Sequence, residues 1–206
     1  MSDSTFADRI VADVRRNVAQ SSAGILPLPD MADWDIFPFE GDMQVKPLAG
    51  VVLPEPSRRG DPGGPECGSC KRPDSDYVWT NANWRLLADE PMGLPAAVLL
   101  EPRAHHDLTD LPQDLAAEMG PMFLRVEGAM LGLGGIARVH VNRWGDGGAH
   151  LHWWFIARPA GLTQLQGSFS SLWMDVLPPR PQAEWDDTMT RIASAIHAQD
   201  RQKLDG

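Results

Sequence analysis

The chain has 206 residues, of which 43% are hydrophobic, and carries a formal net charge of −10 with a pI of about 4.9. This length is enough for one medium-sized domain with extensions and a buried core. The acidic charge argues against a nucleic acid polymer as the main partner, although a few local donors are enough to bind a small anion.

The sequence contains no apolar run long enough for a membrane-spanning helix, and residues 1–5 lack the basic start of a secretory signal. We therefore expect a cytoplasmic protein that does not act at a membrane. Cytosolic thiols stay reduced, so the only two cysteines, Cys67 and Cys70, are not expected to form a structural disulfide.

The first 64 residues are predicted to form a helix followed by an irregular arm. Apolar residues recur on one helical face between residues 4 and 20, and Ser4 or Thr5 is a suitable cap. From about residue 24 to 64 the chain is rich in Pro and Gly, and we expect it to lie over the domain surface or over a partner subunit. The compact domain is placed after this arm, at residues 65–206.

The compact domain is predicted to be an antiparallel sheet with helices packed against it, an α+β architecture. Runs rich in apolar, β-branched and aromatic residues, bounded by turn residues, predict strands at 77–80, 84–88, 96–101, 136–142 and 149–158. Apolar residues at helical spacing predict one helix from about residue 109 to 131 and a last helix from about 183 to 198.

Two histidines lie two residues apart at the start of the last predicted strand. Alternate side chains of a strand share a face, so His150 and His152 are expected side by side, with Trp154 and Arg158 further along that face. Paired imidazoles on a stiff backbone suit metal ligation, nucleophilic catalysis, or one of each. A cupin-type iron or manganese pair would need a glutamate a few residues later, and residues 154–157 contain none.

Cys67 and Cys70 form a CxxC motif that is compatible with two chemistries. A thioredoxin-like dithiol is expected after a strand and at the start of a helix, whereas here Gly-Pro-Glu precedes the motif and a proline follows it closely. A zinc half-site needs only a tight turn and two further ligands, which the His105-His106 pair and His150 can provide. Two ordinary loop cysteines are the third interpretation.

The order of these motifs resembles that of the histidine triad (HIT) superfamily, which includes galactose-1-phosphate uridylyltransferase. The resemblance covers roughly residues 67–158. It comprises a CxxC, a strand ending in Pro-basic-x-His at 102–105, a helix, a strand ending in Asn142, and His-x-His followed by an arginine at 150–158. It implies a HIT-like antiparallel sheet and, by analogy with relatives, a homodimer.

The resemblance also implies a role for each site residue. The middle histidine of the family, matched by His152, attacks the α-phosphate of a nucleotide and forms a nucleotidyl-histidine that water or another phosphate resolves. Asn142 matches the asparagine that contacts the ribose or phosphate region. In zinc-bearing members, the ligands of a structural zinc match Cys67, Cys70, His105 and His150.

Two further kinds of substrate contact are predicted around the histidines. Arg158, Arg143 or Arg85 is expected to supply positive charge to phosphates. Trp154, with the tryptophans near it, is expected to stack on a base or a hydrophobic small molecule.

The sequence departs from the family pattern in three respects. Trp154 stands where the third histidine is expected, and the Gly-Gln-Ser segment that grips the phosphate is replaced by a shorter run at 143–149. The arm before Cys67 and the tail after Arg158 have no family counterpart.

Two functions are therefore predicted. The first is a nucleotidyl hydrolase or transferase that acts on a nucleoside phosphate through His152. The second is a catalytically degenerate HIT-like protein that binds a nucleotide or small molecule. A CxxC oxidoreductase is a third interpretation, which requires that zinc is absent and that the thiols cycle with a dithiol reductant.

Overall fold

The computed structural model describes residues 5–88 and 90–204, and the chain divides into two compact units, residues 1–56 and 57–206. The first unit contains the predicted helix, α1 (Phe6–Gln20), and a 3-10 turn at Asp30–Asp33. Thr5 caps α1 in a reciprocal capping box with Asp8, whereas Ser4 lies outside the described residues. None of the described residues up to position 56 is buried.

The second unit is built on a five-stranded antiparallel sheet with the strand order β1-β2-β3-β5-β4. This confirms the predicted α+β architecture. In chain order its elements are α2 (Gly68–Lys71), β1 (Trp79–Thr80), β2 (Trp84–Leu87), β3 (Ala97–Pro102), α3 (Gln113–Leu131), β4 (Ile136–Asn142), β5 (Trp153–Pro159), α4 (Phe169–Val176) and α5 (Gln182–Leu204).

The main core lies between one face of the sheet and the helices α3 and α5. Phe123 of α3 meets Trp153 and Phe155 of β5 edge-on, with ring centroids 5.0 and 5.3 Å away. Residues of the strands and both helices complete this core, among them Trp84, Leu86, Leu100, Val126, Ile192 and Ile196. No helix in the described part of the chain is both long and apolar enough to cross a bilayer.

The opposite face of the sheet carries a second, smaller apolar cluster. Trp154 pairs in register with Leu99 and packs there, because side chains alternate along β5. The other members of this cluster are Tyr77 and Leu87. The predicted alternation therefore holds from Trp153 onward, and the functional side chains described below lie next to this second face.

The last strand is shorter than predicted, because it begins at Trp153 and not at residue 149. Tertiary hydrogen bonds hold the preceding segment in place of a strand ladder. The backbone N–H of Ala149 donates to the carbonyl of Arg59 at 2.9 Å, and that of Leu151 donates to the carbonyl of His106 at 2.6 Å. His150 and His152 are therefore not two positions of a regular strand.

The helices also differ from the prediction in extent and number. A 3-10 turn at Leu108–Asp110 precedes α3, so α3 begins at Gln113. The last helix continues to Leu204, and the sequence analysis does not predict α4. The sequence signal for α4 is the helical spacing of four apolar residues, which are Phe169, Leu172, Trp173 and Val176.

Candidate functional site

Two cysteines and two histidines from three separate segments meet at the end of β3. Cys67 caps the N-terminus of the four-residue helix α2, and Cys70 lies within it. His105 follows β3, and His150 precedes β5. Their ligand atoms all lie within 4.8 Å of one another. The structure thus brings together the four residues that the sequence predicts as metal ligands.

The spacing of these atoms fits a tetrahedral ion. Nδ1 of His150 lies 3.5 Å from Sγ of Cys67 and 3.6 Å from Sγ of Cys70, and Nδ1 of His105 lies 3.4 Å from Sγ of Cys70. Ordinary Zn–S and Zn–N bonds at the tetrahedral angle place sulfur and nitrogen about 3.5 Å apart. Nε2–H of His150 donates to the carbonyl of Pro102 at 2.7 Å, which leaves Nδ1 with its lone pair toward the sulfurs.

Burial acts on the protonation of this cluster in two ways. It lowers the pKa of His150, which favours the neutral imidazole that a metal requires. Burial, together with the hydrogen bond to Cys67, raises the pKa of the Cys70 thiol to about 11. A bound cation opposes this second effect, because a thiol that ligates a metal is deprotonated. Binding of a metal here therefore releases protons.

Residues 57–64, called the strap below, lie against the cluster. A Cβ at Gly60 would lie 2.6 Å from Cε1 of His105 and 3.3 Å from Cβ of Cys67, and the φ of Gly60 is +91°. Only glycine is compatible with both the contact and the dihedral angle. The composition of the strap predicts that it is part of the arm. In the structure it belongs to the same compact unit as the cluster.

The strap is fastened by the carboxylate of Asp107. Nη1 of Arg58 lies 2.8 Å from one oxygen of Asp107, and Nη2 of Arg143 lies 2.5 Å from the other. Burial acts to raise the pKa of Asp107, but hydrogen bonds from the N–H of Leu108 and from both arginines outweigh it and lower this pKa. Arg143, one of the predicted phosphate ligands, is therefore paired with a carboxylate.

A buried carboxylate supports the CxxC turn from the sheet. Glu101 is only 2% exposed and accepts hydrogen bonds from Oγ of Ser69 at 2.9 Å, the hydroxyl of Tyr77 at 2.5 Å and Nη2 of Arg85 at 3.0 Å. Arg85 also donates to the carbonyl of Ser69 at 3.1 Å. The two charges of this pair thus match each other, as a buried ion pair requires, whereas Nε of Arg85 is buried without a hydrogen-bond partner among the described residues. Arg85, a second predicted phosphate ligand, is occupied by this pairing.

His152 lies in a pocket of about 500 Å³ beside the cluster. Its Nδ1 is 2.8 Å from the carbonyl oxygen of His150, so Nδ1 carries the proton and donates it to that oxygen. In the neutral imidazole, Nε2 is then the nitrogen with the lone pair. The pocket walls combine apolar groups from β2 and β3 with cationic and aromatic groups, which are Leu87, Leu99, Arg59, Arg72 and Trp144.

Besides Arg143 and Arg85, three further predicted substrate contacts are not among the described residues that line this pocket. Asn142 ends β4 and pairs with Trp154, whose ring centroid lies 6.1 Å from that of Trp144 in the pocket wall. Arg158 lies near the far end of β5, five strand positions beyond Trp153 and thus about 17 Å from the start of the strand. The structure therefore places Arg158 away from the pocket, where its Nη1 donates to the carbonyl of Leu162 at 3.3 Å.

Sequence reasoning missed Arg59 as a pocket residue. The available signal was a pair of arginines in a Gly-rich stretch shortly before the CxxC. This signal points to no site until the fold shows that the strap lies against the segment before His150.

No protein-family model matches the sequence, and no curated protein matches it significantly. Several solved structures are similar to the chain. A histidine triad protein from Bradyrhizobium japonicum is 17% identical, over 59% of this chain and 92% of that chain, with a TM-score of 0.49. A zinc-bound histidine triad family protein from Mycobacterium smegmatis is 19% identical, over 61% and 86%, with a TM-score of 0.44. A uridylyltransferase is 18% identical, over 62% and 43%, with a TM-score of 0.44.

Proposed function

We propose that this chain is a HIT-like nucleotidyl hydrolase or transferase in which His152 attacks the α-phosphorus of a nucleotide. The observation that carries the proposal is the hydrogen bond from Nδ1 of His152 to the carbonyl of His150, at 2.8 Å. It fixes the ring and selects the tautomer in which the neutral imidazole has its lone pair on Nε2, which is the form that an imidazole nucleophile needs. The adjoining pocket, about 500 Å³ in volume, has the size of a small-molecule site.

The reaction divides into two displacements at phosphorus. In the first, Nε2 of His152 forms a bond to the α-phosphorus, and the bond to the leaving oxygen breaks with its electron pair on that oxygen. In the second, water or another phosphate forms a bond to phosphorus, the N–P bond breaks, and the imidazole returns to its neutral form. A water nucleophile loses its proton to solvent.

The residue at the third family position limits the leaving group. Trp154 has no imidazole with which to protonate the departing oxygen. A phosphate leaves readily as an anion, whereas an alkoxide needs a proton. The proposed substrates are therefore small nucleotides with a phosphoanhydride bond.

We propose that Cys67, Cys70, His105 and His150 hold a structural zinc ion. Four protein ligands would fill the coordination sphere of such an ion, so it would crosslink three segments and leave no open position for substrate. Held there, it would steady the backbone at His150, whose carbonyl orients His152. A reducing cytoplasm is the proposed location, because it keeps both thiols available.

We further propose that the chain forms a homodimer. The edge strand β4 and an apolar surface on α3 are available for pairing, and Leu124 in that surface is 74% exposed. The molar mass from light scattering should be twice that of the chain, and Leu124→Asp should lower it to that of the monomer. A monomeric wild-type protein contradicts the proposal.

Mass spectrometry under neutral or alkaline conditions tests the nucleophile. The protein is mixed with nucleoside di- and triphosphates and dinucleoside polyphosphates, and the mass of one nucleoside monophosphate is expected on His152. His152→Ala should lose this adduct and at least about a thousandfold of turnover, as expected for a nucleophile, while it retains zinc. His197→Ala, at an exposed histidine of α5, is the matched control and should keep both. Unchanged turnover in His152→Ala overturns the mechanism.

The alternative function is nucleotide binding without turnover. The replacement of the third histidine by Trp154, and the contact of its ring with Trp144, favour this function, because aromatic faces bind flat rings. Saturable nucleotide binding with neither adduct nor product would identify it.

A further inference from the structure

We infer that Arg59 of the strap binds the phosphate chain of the ligand in the His152 pocket and sets the preference for phosphorylated ligands. The inference rests on the proposed function for the identity of the ligand. It assigns a role to a residue that lies outside the segment that resembles the HIT superfamily.

The backbone of Arg59 is joined directly to the turn that precedes the two histidines. Its N–H donates to the carbonyl of Gly147 at 3.3 Å, and its carbonyl accepts from the N–H of Ala149 at 2.9 Å. These bonds form a parallel bridge between Arg59 and Gly148. The strap therefore adds to the pocket wall next to His150, and the position of Arg59 is fixed at its Cα.

Two consecutive arginines of the strap have different surroundings. Arg58 is fully engaged, because its guanidinium binds the carboxylates of Asp61 and Asp107 at 3.1 and 2.8 Å and the carbonyl of Gly145 at 3.1 Å. Arg59 lines the pocket, and no carboxylate among the described residues forms an ion pair with it. One arginine fastens the strap, and the other is available to a ligand.

The charges around the pocket favour an anion there. Its charged walls in the described part of the chain are Arg59, Arg72 and Glu101. The carboxylate of Glu101 is already matched by Arg85 at 3.0 Å. Arg59 therefore brings to the pocket wall a positive charge that no carboxylate of the described residues pairs with, although the whole chain carries a net charge of −10. A guanidinium binds two phosphate oxygens at once, which suits a phosphate chain better than a single anionic atom.

Binding of four probes by the zinc-loaded, full-length protein tests the inference. Isothermal titration is carried out with ATP, AMP, adenosine and inorganic pyrophosphate. Arg59→Gln should lower the affinity for ATP and for pyrophosphate by about tenfold or more, since it removes a charge-assisted hydrogen bond. The affinity for adenosine should not change. Arg59→Lys should recover part of the loss, because it keeps the charge without the planar fork. Arg180→Gln, at an exposed arginine of the α4–α5 connection, is the matched control.

The outcomes separate this inference from the proposed function. Equal affinity of wild type and Arg59→Gln for both ATP and pyrophosphate overturns the role of Arg59, as does an equal loss for adenosine and ATP. A third outcome is that pyrophosphate binding depends on Arg59 but no nucleotide binds more tightly than pyrophosphate. This result would support the anion site at Arg59 and contradict the proposed nucleotide function. Zinc content, measured on each variant, shows whether the cluster beneath the strap has stayed intact.

Discussion

The cysteine–histidine cluster and the pocket beside it share the segment around His150. They differ in whether their polar groups have partners within the protein. In the cluster, the ring nitrogens and sulfurs face one another, and the backing carboxylate Glu101 has a partner for each oxygen. In the pocket, His152 and Arg59 both line an open space. The comparison indicates that the first region stabilises the fold, while the second keeps binding groups available.

The strongest test of this division removes a ligand from the cluster. Cys70→Ser should abolish stoichiometric zinc and reduce stability by on the order of 5 kcal/mol, because the binding energy of a structural metal contributes to folding. Elemental analysis and thermal unfolding measure the two effects. His152→Ala is the matched contrast, since it should lose turnover and keep both metal and melting temperature. Stoichiometric zinc in Cys70→Ser would show that the four residues are not its ligands.

An intermediate effect is expected from the carboxylate behind the cluster. Glu101→Gln leaves the buried guanidinium of Arg85 without its counter-charge and should reduce the free energy of unfolding by about 3 kcal/mol. Glu184→Gln, which removes the exposed partner of Arg180, should cost less than about 1 kcal/mol. Urea titrations of both zinc-loaded variants give the comparison. Equal effects would mean that the Glu101 pair does not support the fold.

The smallest expected effect concerns pH and the fastening of the strap. The folded pKa of Asp107 is lowered, so its stabilisation is present above the unfolded value of about 3.9 and is lost as the pH falls toward the folded value. Wild type should exceed Asp107→Asn by roughly 1 kcal/mol at pH 6, and the difference should shrink below about pH 4. Urea midpoints of the two proteins between pH 3 and 6 measure it. A difference that is constant over this range contradicts the assignment.

The sequence predicts the parts of this molecule that depend on local residue patterns and on the order of motifs. Alternation along 153–158 predicted which tryptophan faces the core, and the helical spacing of apolar residues predicted α1, α3 and α5. The ligand set was predicted because the CxxC, the Pro-basic-x-His element and the final His-x-His occur in a recognisable order. The cluster in the structure contains the same four residues, which are Cys67, Cys70, His105 and His150.

The features that were not predicted depend on contacts between segments that are distant in the sequence. The periodicity of a sequence carries no information about such contacts. The segment before Trp153 has a strand-like composition, but its hydrogen bonds go to Arg59 and His106 and not to a neighbouring strand. Arg158 has the right charge for a phosphate ligand, and the length of β5 takes it away from the pocket. The cation that does line the pocket, Arg59, comes from a stretch whose composition indicates only a loop.

His150 takes part in both regions, since its ring faces the two sulfurs and its carbonyl oxygen accepts the proton of His152. Thermodynamic reciprocity then applies: if zinc in the cluster tightens the hold on a nucleotide by some factor, the nucleotide must tighten the hold on zinc by the same factor. A higher chelator concentration for half-removal of zinc at equilibrium would thus report a bound ligand without any need for turnover, and could be used to screen for the natural one.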